Sequence, residues 1–188
     1  TGAFAPGIPG STDKTAAART EIEAFCGAAM PADFVTGPAG VDFAGNPDEF
    51  GYRRFVLHCA TLAAQAGGVD AVLIGSELRG LTTLRDDAGR FPFVEALEAL
   101  AGDVHSTLGP QAAITYGADW TEYSGYQPAD GSGDRLFHLD ALWAHPSITA
   151  VGIDNYMPIA DWRDEDWASG NPDGAAGPAD IDAMIEAI

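Results

Sequence analysis

Glu77, Asp119 and Asp154 stand at the ends of short apolar runs, and Glu122 follows in the loop after Asp119. Carboxyl groups gathered in this way are the raw material of acid/base chemistry on a bound ligand. Glu77 is the sharpest candidate, because a carboxylic acid at the end of a buried strand is partly desolvated and so favours the protonated form that a general acid needs. The competing role is an ion pair with Arg79 or Arg85 at the rim. Asp119, Glu122 and Asp154 are candidates for the second carboxylate of glycoside hydrolysis, in which one group protonates the leaving oxygen while another attacks the sugar or activates water. Asp119 and Asp154 are equally suited to hold a sugar hydroxyl, cap the next helix or stabilise a loop, and they rank as binding groups.

Tyr116, Trp120, Tyr123, Tyr126, Tyr156, Trp162 and Trp167 crowd the same segments. Flat rings with polar edges suit the apolar faces of sugars, although rim packing employs the same residues. Other chemistries fit less well. Gly75-Ser76-Glu77 lacks the second glycine of a nucleophile elbow, and neither a phosphate loop nor His-Glu-x-x-His occurs. Asp130, Ser132 and Asp134 resemble the opening of a calcium loop, but Ala141 replaces the closing glutamate, so a solvated turn is expected. His58, His138 and His145 are scattered, and Cys26 and Cys59 have no metal-ligand spacing and read as buried free thiols. No metal and no cofactor is called for.

These residues need strands and helices to bring them together. Residues 1–12 read as a loop or linker, and Thr12 as the cap of a helix to Phe25 with Ile22 and Phe25 on its apolar face. Residues 33–45 suggest a hairpin-like insertion around Gly37-Pro38-Ala39-Gly40. Asn46-Pro47-Asp48-Glu49 carries a helix-start pattern leading to a helix as far as Ala66. Ala71 to Ile74 then reads as a strand covered on both faces by helices. Pro92 opens a helix with Phe93, Leu97, Leu100, Val104 and Leu108 at helical spacing, which Gly109-Pro110 stops. A second strand is expected over Ala112 to Tyr116, a third helix over Phe137 to Ala144 and a third strand over Ile148 to Ile153. Glu77, Asp119 and Asp154 lie 42 and 35 residues apart, intervals that suit successive β/α units. Right-handed parallel crossovers would set all three strand ends on one face of the sheet.

With 188 residues the chain supports one domain with a sizeable core but falls short of the roughly 250 residues of a closed eight-unit barrel. An abrupt start and finish suggest an excised fragment. The formal charge of -19 repels nucleic acid and anionic lipid, and no stretch is apolar enough for membrane insertion.

At Gly75-Ser76-Glu77-Leu78-Arg79-Gly80-Leu81-Thr82, with Phe50-Gly51-Tyr52-Arg53-Arg54-Phe55 before it and Val151-Gly152-Ile153-Asp154-Asn155-Tyr156-Met157-Pro158 after it, the chain resembles a known family. This is the TIM-barrel-like domain of the large baseplate protein of gene transfer agents and related phage tails. Ala118-Asp119-Trp120-Thr121-Glu122-Tyr123 and Asp161-Trp162-Arg163-Asp164 also fit it. The resemblance implies an α/β fold of the (β/α)8 TIM-barrel type, here a partial barrel covering about the third to sixth β/α units. Such an open barrel leaves sheet edges unpaired and apolar surface uncovered.

The resemblance further implies a relative of glycoside hydrolases at the tail tip of a virion-like particle assembled in the cytoplasm. Cell-envelope polysaccharide or peptidoglycan is the implied ligand, and other baseplate or tail proteins are the implied partners. In similar retaining glycosidases the acid/base glutamate ends the fourth strand and the nucleophile ends the seventh. Glu77 matches the first; Ser76 replaces the asparagine that commonly precedes it, and the second glutamate has no counterpart. The expected site is therefore Glu77 as catalytic group, with Tyr116, Asp119, Trp120, Glu122, Asp154, Asn155 and Tyr156 holding the glycan. The fragment alone is expected to be inactive. The competing expectation is a non-catalytic carbohydrate-binding or structural module.

Overall fold

A computed structural model describes residues 9–156 and 180–186 and divides the chain into two units, Thr1–Asp154 and Asn155–Ile188. The first unit opens with helix α1 (Ala16–Cys26), whose Ala18, Ile22 and Cys26 recur every fourth residue as its buried stripe. Thr12 does not cap it. The helix starts after Thr15, whose N–H and hydroxyl both donate to the Thr12 carbonyl while the Thr12 hydroxyl donates to Glu21. Phe25 is partly exposed, yet its ring stacks on Tyr52 at 5.5 Å.

A short 3-10 turn, Pro31–Asp33, leads into the expected hairpin, formed by antiparallel strands β1 (Phe34–Gly37) and β2 (Gly40–Phe43). Residues 46–50 depart from expectation. Asn46 Oδ1 accepts the Asp48 N–H and Glu49 Oε1 accepts that of Gly51, so the capping chemistry closes a turn instead of a helix. Helix α2 (Tyr52–Gln65) begins only after Gly51. The end of α1 passes so close that a Cβ on Gly51 would sit 2.5 Å from the Cys26 carbonyl oxygen. Cys26 is buried, and burial pushes its thiol up to about 11, whereas Cys59 is exposed, contrary to its expected burial.

Strand β3 (Ala71–Ser76) is followed by the one-turn helix α3 (Arg79–Thr82) and by helix α4 (Pro92–Leu108). The last matches its sequence signals: proline in the first turn, then Phe93, Val94, Leu97, Leu100, Ala101 and Val104 buried, then Gly109 in a left-handed conformation. Strand β4 (Ala113–Asp119) pairs in parallel with β3, and β5 (Gly152–Asp154) in parallel with β4, giving the sheet order β3-β4-β5. Among the described residues this sheet does not close into a barrel.

The third helix and strand are shorter than expected. Helix α5 covers only Asp140–Trp143, because Leu136 forms an antiparallel bridge with Tyr126 and holds the preceding chain in a loop. Thr149 meets β4 through side-chain as well as main-chain bonds, with its hydroxyl accepting the Ile114 N–H, so regular pairing starts only at Gly152. A Cβ on Gly152 would lie 2.5 Å from the Tyr116 carbonyl oxygen, so glycine lets the third strand approach.

One face of the sheet, carrying Ile74, Ile114, Tyr116 and Ala118, joins the core made with α1, α2 and α4. The other face is open, and Leu73 upon it is 53% exposed. Among the described residues, the expected cover of helices on both faces of β3 is therefore found on one face only. In the second unit, α6 spans Ile181–Glu186. No helix among the described residues is long and apolar enough to cross a membrane.

Candidate functional site

The pairing of β3 with β4 contains an irregularity. Leu73 is opposite Thr115 and Ser76 opposite Gly117, so three steps on β3 match two on β4. Such a bulge turns a side chain that simple alternation would send to the helices. It brings Ser76 onto the open face beside Leu73. There the Ser76 hydroxyl donates to Asp154 Oδ2 across Gly117, whose missing side chain leaves the space: a Cβ would meet Asp154 Oδ2 at 2.8 Å, and Ser76 Oγ and Leu73 Cδ2 at 3.2 Å.

Glu77 comes next and has φ +54. The left-handed region costs an L-residue about 1 kcal/mol or more, so it persists only where the surroundings hold it. Two hydrogen bonds do so: the Glu77 N–H donates to the Gly117 carbonyl at 2.8 Å, and the Leu78 N–H donates to the Tyr116 hydroxyl at 2.8 Å. The Glu77 side chain is exposed, so the expected desolvation is not found. Neither arginine pairs with it. Arg85 is buried and gripped by Asp13, at 2.6 Å, and by Asp130, while Arg79 makes no ion pair among the described residues.

The remaining candidates separate. Asp119 Oδ1 accepts the N–H and hydroxyl of Thr121, and these bonds, with the nearby charge of Arg79, hold its carboxyl below the usual range despite partial burial. It stabilises its own loop, one of the roles left open by the sequence. Asp154 is half-buried and engaged by Ser76. Glu122, expected on the ligand face, is instead 2% exposed; its carboxyl accepts the Thr82 hydroxyl, the Asp119 N–H at 2.9 Å and the Tyr116 hydroxyl at 3.3 Å. Tyr116 is wholly buried beneath the same turns, against Trp143, and burial followed by the Glu122 charge pushes its hydroxyl well above the usual range.

These two were expected on the ligand side. Glu122 follows β4, and its side chain folds back to where donors gather, whereas Tyr116 lies within β4 and takes the inward direction of the strand's alternation. Tyr126 is likewise buried, against His138. Trp120 is half-buried and Tyr123 is exposed, so they are the rings of this group left near solvent. Asn155 and Tyr156 are exposed and belong to the second unit. Trp162, Trp167 and the Asp161–Asp164 stretch lie outside the described residues.

Asp130, the first residue of the calcium-like pattern, bonds Lys14 Nζ at 2.6 Å and accepts the Ser132 N–H. The ammonium and the turn hold it well below the usual carboxylate range, and the segment is a salt-bridged turn. Among the described residues no group of three His, Cys, Asp or Glu is placed to hold a metal ion.

Residues 50–188 match the family model described as the GTA TIM-barrel-like domain. The chain belongs to this family. The match includes all three parallel strands, the bulge before Ser76 and the left-handed Glu77. Helix α1 and the β1–β2 hairpin precede the region matched to the GTA TIM-barrel-like domain. No curated protein matches the chain.

Sequence reasoning missed one member of the site. Ser76 was noted only as a departure from a familiar pattern, yet its hydroxyl joins the first strand to the third. Its position immediately before Glu77 was the available signal.

Proposed function

We propose that this domain is a glycosidase-like partial barrel in the baseplate of a phage-like or gene-transfer-agent tail, where it meets cell-envelope polysaccharide or peptidoglycan. In this reading it covers about the third to sixth β/α units, works at the tail tip beside other baseplate proteins, and is assembled in the cytoplasm. The observation that carries the reading is Glu77: a carboxyl without a partner among the described residues, just past the end of a parallel strand, on backbone held in an unfavourable conformation. Strain of that kind is concentrated at functional sites. Glu77 acts as general acid/base, Asp154 with Ser76 and Asp119 hold sugar hydroxyls, and Trp120 supplies a ring face.

A second reading, a non-catalytic carbohydrate-binding or structural module, has its own support. Retaining hydrolysis needs a second free carboxylate about 5 to 5.5 Å from the first. Glu122 is buried, while Asp119 and Asp154 are engaged by Thr121 and Ser76. The test is to incubate the full-length domain with peptidoglycan and capsule fragments beside its Glu77→Gln variant. A catalytic Glu77 predicts hydrolysis that falls by roughly 100-fold or more in the mutant. Equal hydrolysis by both proteins removes Glu77 from the mechanism, and saturable binding without cleavage by the unaltered full-length domain supports the second reading.

A further inference from the structure

We infer that Tyr116 and Glu122 form a buried clamp that sets the orientation of Glu77; the inference rests on the reading of Glu77 as the working carboxyl. Leu78, the residue after Glu77, donates its N–H to the Tyr116 hydroxyl at 2.8 Å, and that hydroxyl donates to Glu122 Oε2 at 3.3 Å. The same Oε2 accepts the Asp119 N–H at 2.9 Å, while Oε1 accepts the Thr82 hydroxyl. One buried carboxyl thereby ties the turn after β3, through Leu78 and Thr82, to the turn after β4, through Asp119.

Core packing alone does not account for this arrangement. Phenylalanine would fill the place of Tyr116 without burying a hydroxyl, and burying a carboxyl is costly unless donors surround it. Here two donors, Thr82 and the Asp119 N–H, come from where the chain leaves β3 and β4, and the third is the Tyr116 hydroxyl that also holds Leu78. Glu77 is held on both sides, its own N–H by Gly117 and the next N–H by Tyr116, which together maintain φ +54. Tyr116 and Glu122 are positioning residues, since neither reaches the open face.

Three variants of the whole chain test the clamp: Tyr116→Phe, Glu122→Leu, and Glu122→Gln, whose amide oxygen can still accept from Tyr116 and Asp119. In Tyr116→Phe and Glu122→Leu the Leu78 amide should exchange roughly tenfold faster, the equivalent of about one lost hydrogen bond. The Glu77 backbone carbon shifts should move away from left-handed values, while the Leu97 and Val104 amides stay protected. Glu122→Gln should restore both signals. Unchanged Leu78 exchange and Glu77 shifts in the first two variants would overturn the clamp.

On a cleaved glycan, kcat should fall with little change in KM. A full kcat alongside altered Glu77 shifts would overturn the positioning role. If the unaltered full-length domain binds glycan without cleaving it, the catalytic reading of Glu77 fails by itself. The clamp is then judged by the exchange and carbon shifts, and positioning by glycan affinity, which should fall in Tyr116→Phe and return in Glu122→Gln.

Discussion

The two faces of the β3-β4-β5 sheet carry similar residue types and use them in opposite ways. On the helix side Ile74, Ile114, Tyr116 and Ala118 interlock with α4 and its neighbours, and the polar atoms that enter are bonded into the Tyr116–Glu122 network. On the open side Leu73 is exposed, Ser76 reaches Asp154 over a glycine, and Glu77 stands on strained backbone with a carboxyl that has no partner among the described residues. Stability resides on the first face, and the proposed ligand chemistry belongs to the second. The boundary between them runs through the β3 bulge.

The sharpest way to break this comparison is to truncate one leucine on each side. Leu97→Ala, in the filled core, should cost about 3 kcal/mol in urea unfolding. Leu73→Ala, on the open face, should cost under about 1 kcal/mol, because most of its surface already meets solvent. Similar costs at the two sites would mean that the open face is packed in solution.

A smaller effect comes from the charged end of the core. Asp86 is buried, which alone would raise its pKa, but hydrogen bonds from the Arg19 side chain and from the Arg90 and Ala88 N–H groups outweigh burial and bring it to about 2. The folded value lies below the roughly 3.9 of an unfolded aspartate, so its contribution is complete above that pH and is lost as pH falls toward 2. The chain should lose roughly 2 kcal/mol over that window. Asp86→Asn should flatten the slope, and an unchanged acid limb in the mutant would assign it to other carboxylates.

The smallest expected effect has the opposite sign. Glu77→Gly relieves the left-handed backbone and should raise stability by about 0.5 kcal/mol, even though it removes the proposed acid. A fall in stability would show that the turn is not strained and that Glu77 contributes to the fold.

How far the sequence was legible follows from the range of the interactions involved. Helix α4 was readable to its ends, since proline, a spaced apolar stripe and glycine act within the segment itself. The hairpin was readable because its turn and flanking residues are neighbours. The 46–50 segment carried an equally good local signal and misled, because the close passage of Gly51 past Cys26 and Gly27 turned the same capping groups into a turn. Among the site residues, the position of Glu77 at a strand end was legible, but its exposure was not.

The sequence by itself determined the alternation of strands and helices, the acidic character, the family and the prominence of Glu77, because each is written in residue types and short spacings. Only the tertiary structure decided which groups share a site. It moved Tyr116 and Glu122 inward, joined Ser76 to Asp154 and set Glu77 left-handed, through hydrogen bonds among the strands and the turns that follow them. The residues linked by those bonds are as much as 78 positions apart, and no periodicity within either segment encodes the meeting.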